Sequence, residues 1–566
     1  MDTGVDRSRS PLTRLAKLRY GLLLVPLVFL VVFFFYPLIS ILAVSLAPDG
    51  QLDLGAFTAL ITSSYYRDTL VFTAGQAFLS TLLTVALALP GAYIFVRYQF
   101  PGKSLLMALA TLPFVLPTVV VATAFSALIG PRGLVNTGLM SLFVLKTPPV
   151  QLERTLAIIL IVHVFYNYAV ALRLISGYWA NQNPRMEEAA RVLGADGWRL
   201  WWTIRLPLLR PAVLAASALV FIFTFTSFGV VLILGGPRFA TLEVEIYRQA
   251  TGLFNLPVAG ALALVQIILM FALMAVYTRL QKQITTDIQR AERVALPPRS
   301  RGAKLAIGVN LSAMVILLFA PLLALVIRSF TAGNSGWTLD YYQQLTVNTR
   351  QSLLFVPPVQ AISNSLVFAI LTTLLALFLG LITAYLLSRR NLPLARWLDP
   401  LFMLPLAASA VTLGFGFIIA LDKPPLNLRT SPLLIPIAHT LVAMPFVVRS
   451  VLPALRGIPP SVQEAAGVLG ASPWRVWRWI DLPLISRGLV VGATFAFTVS
   501  MGEFGASLFV ARPDTPTIPV AIFRLLGQPG ASNYGQALAL SVILMLVSAL
   551  GFVLIERLRT AGIGEF

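Results

Sequence analysis

About twelve runs of apolar residues follow one another along the chain, and each is long enough to cross a lipid bilayer. A hydrocarbon core needs about 20 such residues per helix. Only 11% of the residues are charged, against about 25% in a soluble domain. The chain is therefore predicted to be an all-α, polytopic membrane protein. The runs lie near 20–46, 69–96, 104–130, 155–179, 209–235, 256–280, 303–329, 361–388, 398–421, 432–455, 485–511 and 534–557.

Residue types that carry metal or redox chemistry are scarce in this sequence. The chain has no cysteine and only two histidines. This excludes a disulfide framework and an iron–sulfur site, and it leaves too few imidazoles for a histidine-built metal site. No nucleophile constellation is recognisable either. We therefore expect no catalytic residue, no bound metal and no cofactor in this chain.

The net charge of +20 is concentrated in particular connections between the apolar runs. The first run follows five basic residues, is too long for a signal peptide and lacks a clear cleavage site, so we interpret it as an uncleaved span. With the N-terminus inside, the second, fourth and sixth connections are also inside and are rich in Lys and Arg. This pattern predicts two cytoplasmic termini and no nucleic-acid partner. The basic residues include Arg7, Arg9, Arg14, Lys17, Arg19, Arg97, Lys103, Arg185, Arg191, Arg199, Arg205, Arg210, Lys282, Arg290, Arg293, Arg299, Arg301, Arg389, Arg390 and Arg396.

A 21-residue segment occurs twice, at an offset of 276 residues. Residues 188–208 read EAARVLGADGWRLWWTIRLPL, residues 464–484 read EAAGVLGASPWRVWRWIDLPL, and 14 positions are identical. The same offset aligns His163 with His439. Two repeats of six spans each are predicted, and an even number of spans per repeat makes the two copies parallel. The predicted repeats are residues 1–287 and 288–566.

The repeated loops (residues 183–208 and 459–484) are predicted to form a short helix, a sharp bend and a second helix. Gly194 and Gly470 suit the left-handed conformation that ends a helix. Six of the nine tryptophans follow the bend, next to arginines, which is typical of a membrane interface. A short helix presented in two copies is suited to dock into a groove of another protein. The alternative is a purely structural re-entry loop, which the duplication disfavours.

Both repeated loops resemble the cytoplasmic signature of the membrane permeases of bacterial binding-protein-dependent ABC importers. That signature is Glu-Ala-Ala, three residues, Gly, nine residues, Ile, one residue and Leu-Pro, and both copies are complete. The resemblance covers nearly the whole chain as two fused permease units. It implies the type I ABC importer permease fold in a bacterial inner membrane. The residues implied to couple to an ATPase are Glu188, Ala189, Ala190, Gly194, Leu206, Pro207, Glu464, Ala465, Ala466, Gly470, Leu482 and Pro483.

The resemblance also implies partners. In that family the loop receives motion from a separate ATPase subunit, so two copies of an ABC ATPase, carrying ATP and Mg²⁺, are expected beside this chain. The other expected partners are the lipid bilayer and a solute-binding protein outside the cytoplasm. Gly102-Lys103-Ser104 resembles the end of a P-loop, but Arg97 stands where that motif needs a glycine. We therefore expect no nucleotide on this chain.

The solute is indicated only by similarity to permease subtypes. Fused pairs of this size resemble the thiamine and ferric-iron permeases. Residues 227–250 look most like the thiamine type, whereas residues 501–523 are similar to both and also to sulfate and molybdate permeases. Thiamine is the expected solute, and ferric iron or another small ion is the alternative. An ion-gradient-driven secondary transporter is the alternative of another class, but it would need more coupling carboxylates in its spans than Glu503 alone.

Glu503 is the only carboxylate deep within a predicted span. A buried intramembrane acid usually faces a bundle interior or a water-filled path. Glu503, its repeat mate Ser227 and the neighbouring Phe228 and Phe504 are therefore candidates for lining the solute pathway. A structural carboxylate that is hydrogen-bonded between helices is an equal alternative.

Two further polar residues lie within the fourth span of each repeat. For His163 and His439 a role as ligand or proton relay is possible, but a membrane histidine is more often an interhelical hydrogen-bonding group. Arg173 and Arg449, near the inner ends of those spans, are interpreted as side chains that snorkel toward the interface.

Overall fold

A computed structural model describes residues 21, 24–48, 50–286, 295–331, 336–348, 354–388, 395–422, 424 and 426–560. Several sequence predictions fall outside this part of the chain. They concern the basic residues before residue 21, Arg290, Arg293, Arg389, Arg390, the repeat boundary at 287/288 and the C-terminal residues 561–566.

The first repeat is helical over nearly all its described length. Its helices are α1 (Leu24–Leu46), α2 (Gly55–Thr62), α3 (Ser64–Arg97), α4 (Lys103–Ala110), α5 (Leu112–Val115), α6 (Thr118–Ile129), α7 (Leu134–Phe143), α8 (Leu156–Ala180), α9 (Arg185–Val192), α10 (Gly197–Leu200), α11 (Leu206–Phe225), α12 (Leu242–Tyr247) and α13 (Leu256–Thr286). Turns of π-helix lie at Val31–Phe35, Trp201–Arg205, Val231–Gly235 and Arg248–Gly252.

The second repeat continues in the same way. Its helices are α14 (Arg301–Thr331), α15 (Asp340–Gln343), α16 (Pro358–Leu387), α17 (Ala395–Ala407), α18 (Ala410–Ala420), α19 (Leu434–Arg456), α20 (Pro460–Val468), α21 (Pro473–Val476), α22 (Leu482–Gly502), α23 (Gly505–Val510), α24 (Ile518–Leu526) and α25 (Ala531–Thr560). A 3₁₀ turn lies at Gln344–Thr346 and a π-helical turn at Trp477–Asp481. Within the described ranges, extended pairing is limited to an isolated bridge between Tyr98 and Leu296.

The count of membrane spans agrees with the sequence. Eleven helices in the described part of the chain are long and apolar enough to cross a bilayer, or twelve if α17 and α18 form one bent span. In a helix the backbone N–H and C=O groups hydrogen-bond within the same segment, as a lipid environment requires. The all-α, multi-span fold predicted from the apolar runs is thereby confirmed.

The predicted third span, near 104–130, is not one continuous helix. It is divided into α4, α5 and α6, and Leu116 between the last two is extended, with φ −72° and ψ 139°. Leu116 precedes Pro117, whose ring disfavours a helical conformation in the residue before it. The second repeat has a comparable break, because α17 and α18 meet at an angle of 95°. Ser409 lies at that corner and accepts a hydrogen bond from the Val411 amide.

Packing divides the chain into two compact units that differ from the two sequence repeats. The first unit comprises Met1–Ala43, Gln360–Thr517 and Leu550–Phe566. In it, α19 packs along α22, and buried side chains from α1, α17, α18 and α19 form its core. The contact of α1 is close: a Cβ atom added at Gly416 would lie 2.9 Å from Cβ of Pro37.

The second unit comprises Val44–Val359 and Ile518–Ala549. Here α3 packs against α8 and α11, and α14 packs along α6. Thus α1 packs with helices of the second repeat, and α14, the first span of the second repeat, packs with helices of the first. The first repeated loop belongs to this unit, and the second repeated loop belongs to the first unit.

Candidate functional site

Each repeated loop consists of two helices joined at a glycine. After α9, Gly194 adopts φ +82°, and the amide of Ala195 donates to the carbonyl of Ala190 at 2.9 Å. After α20, Gly470 adopts φ +81°, and the amide of Ala471 donates to Ala466 at 3.0 Å. Both bends therefore have the hydrogen bond of a Schellman-type helix end, which favours glycine because a left-handed backbone is costly for other residues.

An apolar pair projects from each bend. The exposed fractions are 87% for Val192, 86% for Leu193, 89% for Val468 and 88% for Leu469. These side chains occupy the same repeat positions, directly before the two bend glycines. Paired apolar side chains with almost no contacts inside their own fold indicate an interaction surface rather than a core.

The predicted coupling residues are divided between the first helix of each repeated loop, the bend glycine after it and the membrane helix that follows the loop. Glu188, Ala189, Glu464 and Ala465 are exposed on α9 and α20, whereas Ala190 is buried and Ala466 is half-buried. In each copy an exposed carboxylate and an exposed alanine therefore precede the Val–Leu tip on the same helix. The Leu-Pro pairs begin the membrane helices that follow, at Leu206-Pro207 in α11 and Leu482-Pro483 in α22.

Polar side chains stand at the N-termini of the short helices in the repeated loops. Asn183 accepts a hydrogen bond from the Arg185 amide at 3.0 Å, and Ser472 caps α21 by accepting from the Arg475 amide at 3.4 Å. Asp196 stands before α10 with an extended backbone but makes no side-chain cap bond. The tryptophans form pairs: the ring centroids of Trp198 and Trp202 are 5.4 Å apart, and those of Trp474 and Trp477 are 4.9 Å apart.

A polar contact not expected from the sequence joins the first helix of each repeated loop, α9 or α20, to the turn that precedes the next membrane helix. In the first copy, Nε and Nη2 of Arg205 both donate to Oε2 of Glu187 at 3.1 Å. In the second copy, Nε2 of Gln463 donates to Oδ1 of Asp481 at 2.7 Å. The offset of 276 residues aligns the members of the two pairs. In the sequence, both positions of the pair are polar in each repeat although the residue types differ. This pattern could have identified the two pairs.

The four candidate pathway residues lie where the fifth span of each repeat breaks. Ser227 and Phe228 follow the end of α11, Glu503 and Phe504 follow α22, and all four are buried. The Glu503 carboxylate accepts hydrogen bonds from the amides of Ala506 and Ser507, both at 2.9 Å. Glu503 thus caps α23, as expected for a carboxylate at a helix N-terminus.

The two histidines bridge segments at these breaks. In one repeat, Nδ1 of His163 lies 2.9 Å from Oγ of Ser80, and its Nε2 lies 2.7 Å from Oγ of Ser227. In the other repeat, Nδ1 of His439 lies 2.7 Å from Oγ of Ser500, and its Nε2 lies 2.8 Å from Oγ of Ser507. Each buried ring therefore has a partner at both nitrogen atoms.

Other polar side chains suggested by the sequence have local partners. Nη2 of Arg173 donates to the carbonyl of Met107 at 3.0 Å, so this guanidinium binds α4 instead of simply snorkelling. Arg449 lies 3.7 Å from a carboxylate oxygen of Asp399. Nζ of Lys103 donates to the carbonyl of Tyr98 at 3.2 Å. In the described residues, no group of three or more His, Asp or Glu side chains is placed to hold a metal.

Comparison with known proteins gives consistent matches along the chain. The family described as "Binding-protein-dependent transport system inner membrane component" matches residues 88–290 and 376–561. The thiamine transport system permease protein ThiP of Escherichia coli is 26% identical over 504 residues, which cover 89% of this chain and 91% of that protein. ThiP of Haemophilus influenzae is 27% identical over 539 residues, covering 94% and 95%.

Two other bacterial proteins also match. A probable ABC transporter permease protein, y4fN of Sinorhizobium fredii, is 25% identical over 572 residues, covering 96% of this chain and 97% of its own. The crystal structure of a bacterial ABC transporter involved in import of the acidic polysaccharide alginate matches with a TM-score of 0.38 and 17% identity. It covers 49% of this chain and 98% of the matched chain.

Proposed function

The chain belongs to the family of binding-protein-dependent transport system inner membrane components, and we propose that it conducts thiamine into a bacterial cell. It is the permease of an ABC importer, with two permease units fused in one multi-pass membrane protein. The choice of thiamine as the solute rests on how much of this chain is similar to known thiamine permeases. Thiamine permeases from two organisms align with at least 89% of this chain, across both family matches.

We propose that a separate ABC ATPase docks on the two repeated loops. The exposed Val–Leu tips, each with an exposed glutamate one turn away, support this proposal. Because the tips carry the same residues in both copies, two copies of one ATPase chain fit them. In this proposal ATP and Mg²⁺ bind to that partner, and this chain performs no covalent chemistry.

The proposed mechanism couples the loops to the membrane helices. Closure of the ATPase pair around ATP would move both repeated loops. Each loop continues through a single π-helical turn into α11 or α22, so the motion is delivered directly to a membrane span. The solute path would open alternately to the two sides, and a solute-binding protein outside the cytoplasm would deliver thiamine to its outer opening.

The proposed orientation follows from the placement of the basic connections. Lys and Arg concentrate in the connections that include the repeated loops, which is the pattern of cytoplasmic loops in membrane proteins. We therefore place both loops and both termini in the cytoplasm of the inner membrane.

A reconstitution experiment tests this function. The chain, its neighbouring-gene ATPase and the neighbouring-gene binding protein would be placed in proteoliposomes, and ATP hydrolysis would be measured with thiamine and with ferric iron. Stimulation by thiamine, lost in the double variant Glu188→Lys and Glu464→Lys, is the expected result. Stimulation by ferric iron alone would reassign the solute. Uptake driven by a proton or sodium gradient without ATP would contradict the importer proposal.

A further inference from the structure

The Glu187–Arg205 pair connects two segments that the backbone joins only through a bend. Glu187 lies in the first turn of α9, and Arg205 ends the π-helical turn before α11. Both side chains are at least 90% buried at the loop, and two donors of Arg205 share one oxygen of Glu187. The only covalent route between these segments runs through Gly194 and the single turn of α10. The pair therefore links the two ends of the loop directly. Without this contact, only the backbone at Gly194 and α10 would fix the angle between them.

Aromatic rings surround the cation in the first copy. The guanidinium carbon of Arg205 lies 5.1 Å from the ring centroid of Tyr93 and 5.7 Å from that of Trp201. Trp179 packs against both rings, with centroid separations of 5.7 Å and 5.6 Å. Cation–π attraction and a buried carboxylate together stabilise a charge that burial alone would disfavour.

The second copy makes the same connection with different groups. Gln463 takes the place of Glu187, and Asp481, which is 1% exposed, takes the place of Arg205. The repeat mate of Trp179 is Leu455. The indole that packs on the two rings around Arg205 is thus replaced by an aliphatic side chain in the second copy, whereas Trp201 itself aligns with Trp477.

The π-helical turn places the second member of each pair. Both turns occur at the same repeat position, Trp201–Arg205 and Trp477–Asp481, two residues before a proline. Proline lacks an amide hydrogen and its ring clashes with the carbonyl four residues earlier, so a widened turn relieves the conflict. The turn ends on Arg205 or Asp481, which places that side chain against the first helix of the repeated loop (α9 or α20), called the docking helix below.

We propose that Glu187–Arg205 and Gln463–Asp481 are positioning pairs that hold each docking helix to its membrane helix and transmit its movement. The proposal rests on the proposed function, because it assumes that the docking helices receive that movement from an ATPase. The first pair depends on opposite charges, and the second depends on an amide donor. Exchanging one residue between the pairs should therefore break the contact. Replacing both residues of one pair by those of the other pair should preserve it.

The test uses three variants of the first pair. Arg205→Met removes the cation, Glu187→Gln removes the opposing charge, and the double variant Glu187→Gln with Arg205→Asp installs the chemistry of the second copy. Arg210→Met, an exposed arginine on α11, is the matched control. In proteoliposomes with the ATPase and the binding protein, we measure thiamine imported per ATP hydrolysed and the amount of ATPase that copurifies.

Arg205→Met is expected to lower this coupling ratio roughly fivefold or more while ATPase copurification stays at the wild-type level. The double variant is expected to restore the ratio to within about twofold, and Arg210→Met to leave it unchanged. An unchanged ratio in Arg205→Met would overturn the proposal. So would a proportional loss of uptake, hydrolysis and copurification, because that result indicates a merely structural role.

A second measurement does not depend on transport. The chain has no cysteine, so Arg185→Cys places a single nitroxide label on α9 and Ser461→Cys places one on α20. In nanodiscs, Arg205→Met should increase the mobility of the label at 185, and Gln463→Leu should increase it at 461. Unchanged mobility in both would contradict the proposal even if the complex hydrolyses no ATP. A wild-type complex without ATP hydrolysis would contradict only the proposed function.

Discussion

Oε2 of Glu503 lies 3.4 Å from Nε2 of His439, and both side chains are buried. The repeat-equivalent residues make the corresponding contact, since Oγ of Ser227 lies 2.7 Å from Nε2 of His163. A histidine in the fourth span thus meets the residue at the break of the fifth span in both repeats. The glutamate differs from the serine because it also caps α23.

Replacing Glu503 separates its capping role from the proposed pathway role. Glu503→Ala should lower the free energy of unfolding by about 1 kcal/mol, because two amides of α23 lose their acceptor. Glu503→Ser, which copies the first repeat, should retain most of that stability because serine also caps helices. Thermal unfolding in detergent measures both effects. Equal losses in the two variants would contradict the cap.

The Glu503→Ser variant also tests the solute pathway, which stays a prediction. If Glu503 faces a cationic solute, this variant should take up thiamine several-fold more slowly although its stability is close to wild type. Uptake at the wild-type rate would show that the carboxylate serves the fold alone.

The histidine bridges should contribute to stability. His163→Leu leaves the hydroxyls of Ser80 and Ser227 without their shared ring, and we expect a loss of about 1–3 kcal/mol in the free energy of unfolding. Phe78→Leu, at an exposed position on α3, is the control and should have little effect. Unfolding in mixed detergent micelles measures the difference. A variant as stable as wild type would show that the serines find other partners.

The Val–Leu tips should dominate ATPase docking. Val192→Asp combined with Val468→Asp places a charge where the interface would exclude water, and we expect a loss of at least about 2 kcal/mol in binding. ATPase copurification should fall accordingly. Leu52→Asp is the control, because Leu52 is 78% exposed and lies outside both the repeated loops and the candidate membrane spans. Equal losses in control and double variant would indicate general misfolding rather than a docking surface.

The bend glycines should resist substitution for backbone reasons. A Cβ atom at Gly194 or Gly470 would meet nothing within 4 Å, so the cost of alanine is the left-handed conformation, about 1–2 kcal/mol. Hydrogen exchange at the amides of Ala195 and Ala471 should then be about tenfold faster. Gly467→Ala is the matched control: Gly467 lies within α20 with open space around it.

Alanine at position 467 should slow local exchange slightly, since glycine inside a helix costs about 0.5–1 kcal/mol relative to alanine. Faster exchange in all three glycine variants would show that the loops tolerate no added methyl group, whatever the backbone conformation.

Much of the fold could be predicted from the sequence because its causes are local. A run of apolar residues long enough for the bilayer must form a helix that satisfies its own backbone, and this held for α3, α8, α16 and α19. The bends at Gly194 and Gly470 and the cap at Ser472 also follow from the conformational preference or side chain of a single residue. The broken third span could have been predicted from Pro117, since proline disfavours helix in the residue before it.

The polar contacts required the tertiary structure. Glu187 and Arg205 are 18 residues apart, and their pairing depends on the bend, the single turn of α10 and the π-helical turn acting together. The contacts of Arg173 with Met107 and of His163 with Ser80 depend on which helices are neighbours. Hydropathy does not encode that choice, because every span is apolar enough to pack beside any other.

The sequence by itself determined that the chain is helical, spans a membrane many times and presents one loop twice, because bilayer thickness and a duplicated pattern leave few alternatives. Only the tertiary structure decided that α1 packs with the helices of the second repeat and α14 with those of the first. That arrangement arises from close packing between surfaces of similar hydrophobicity, where shape, as at Gly416 and Pro37, selects the partner.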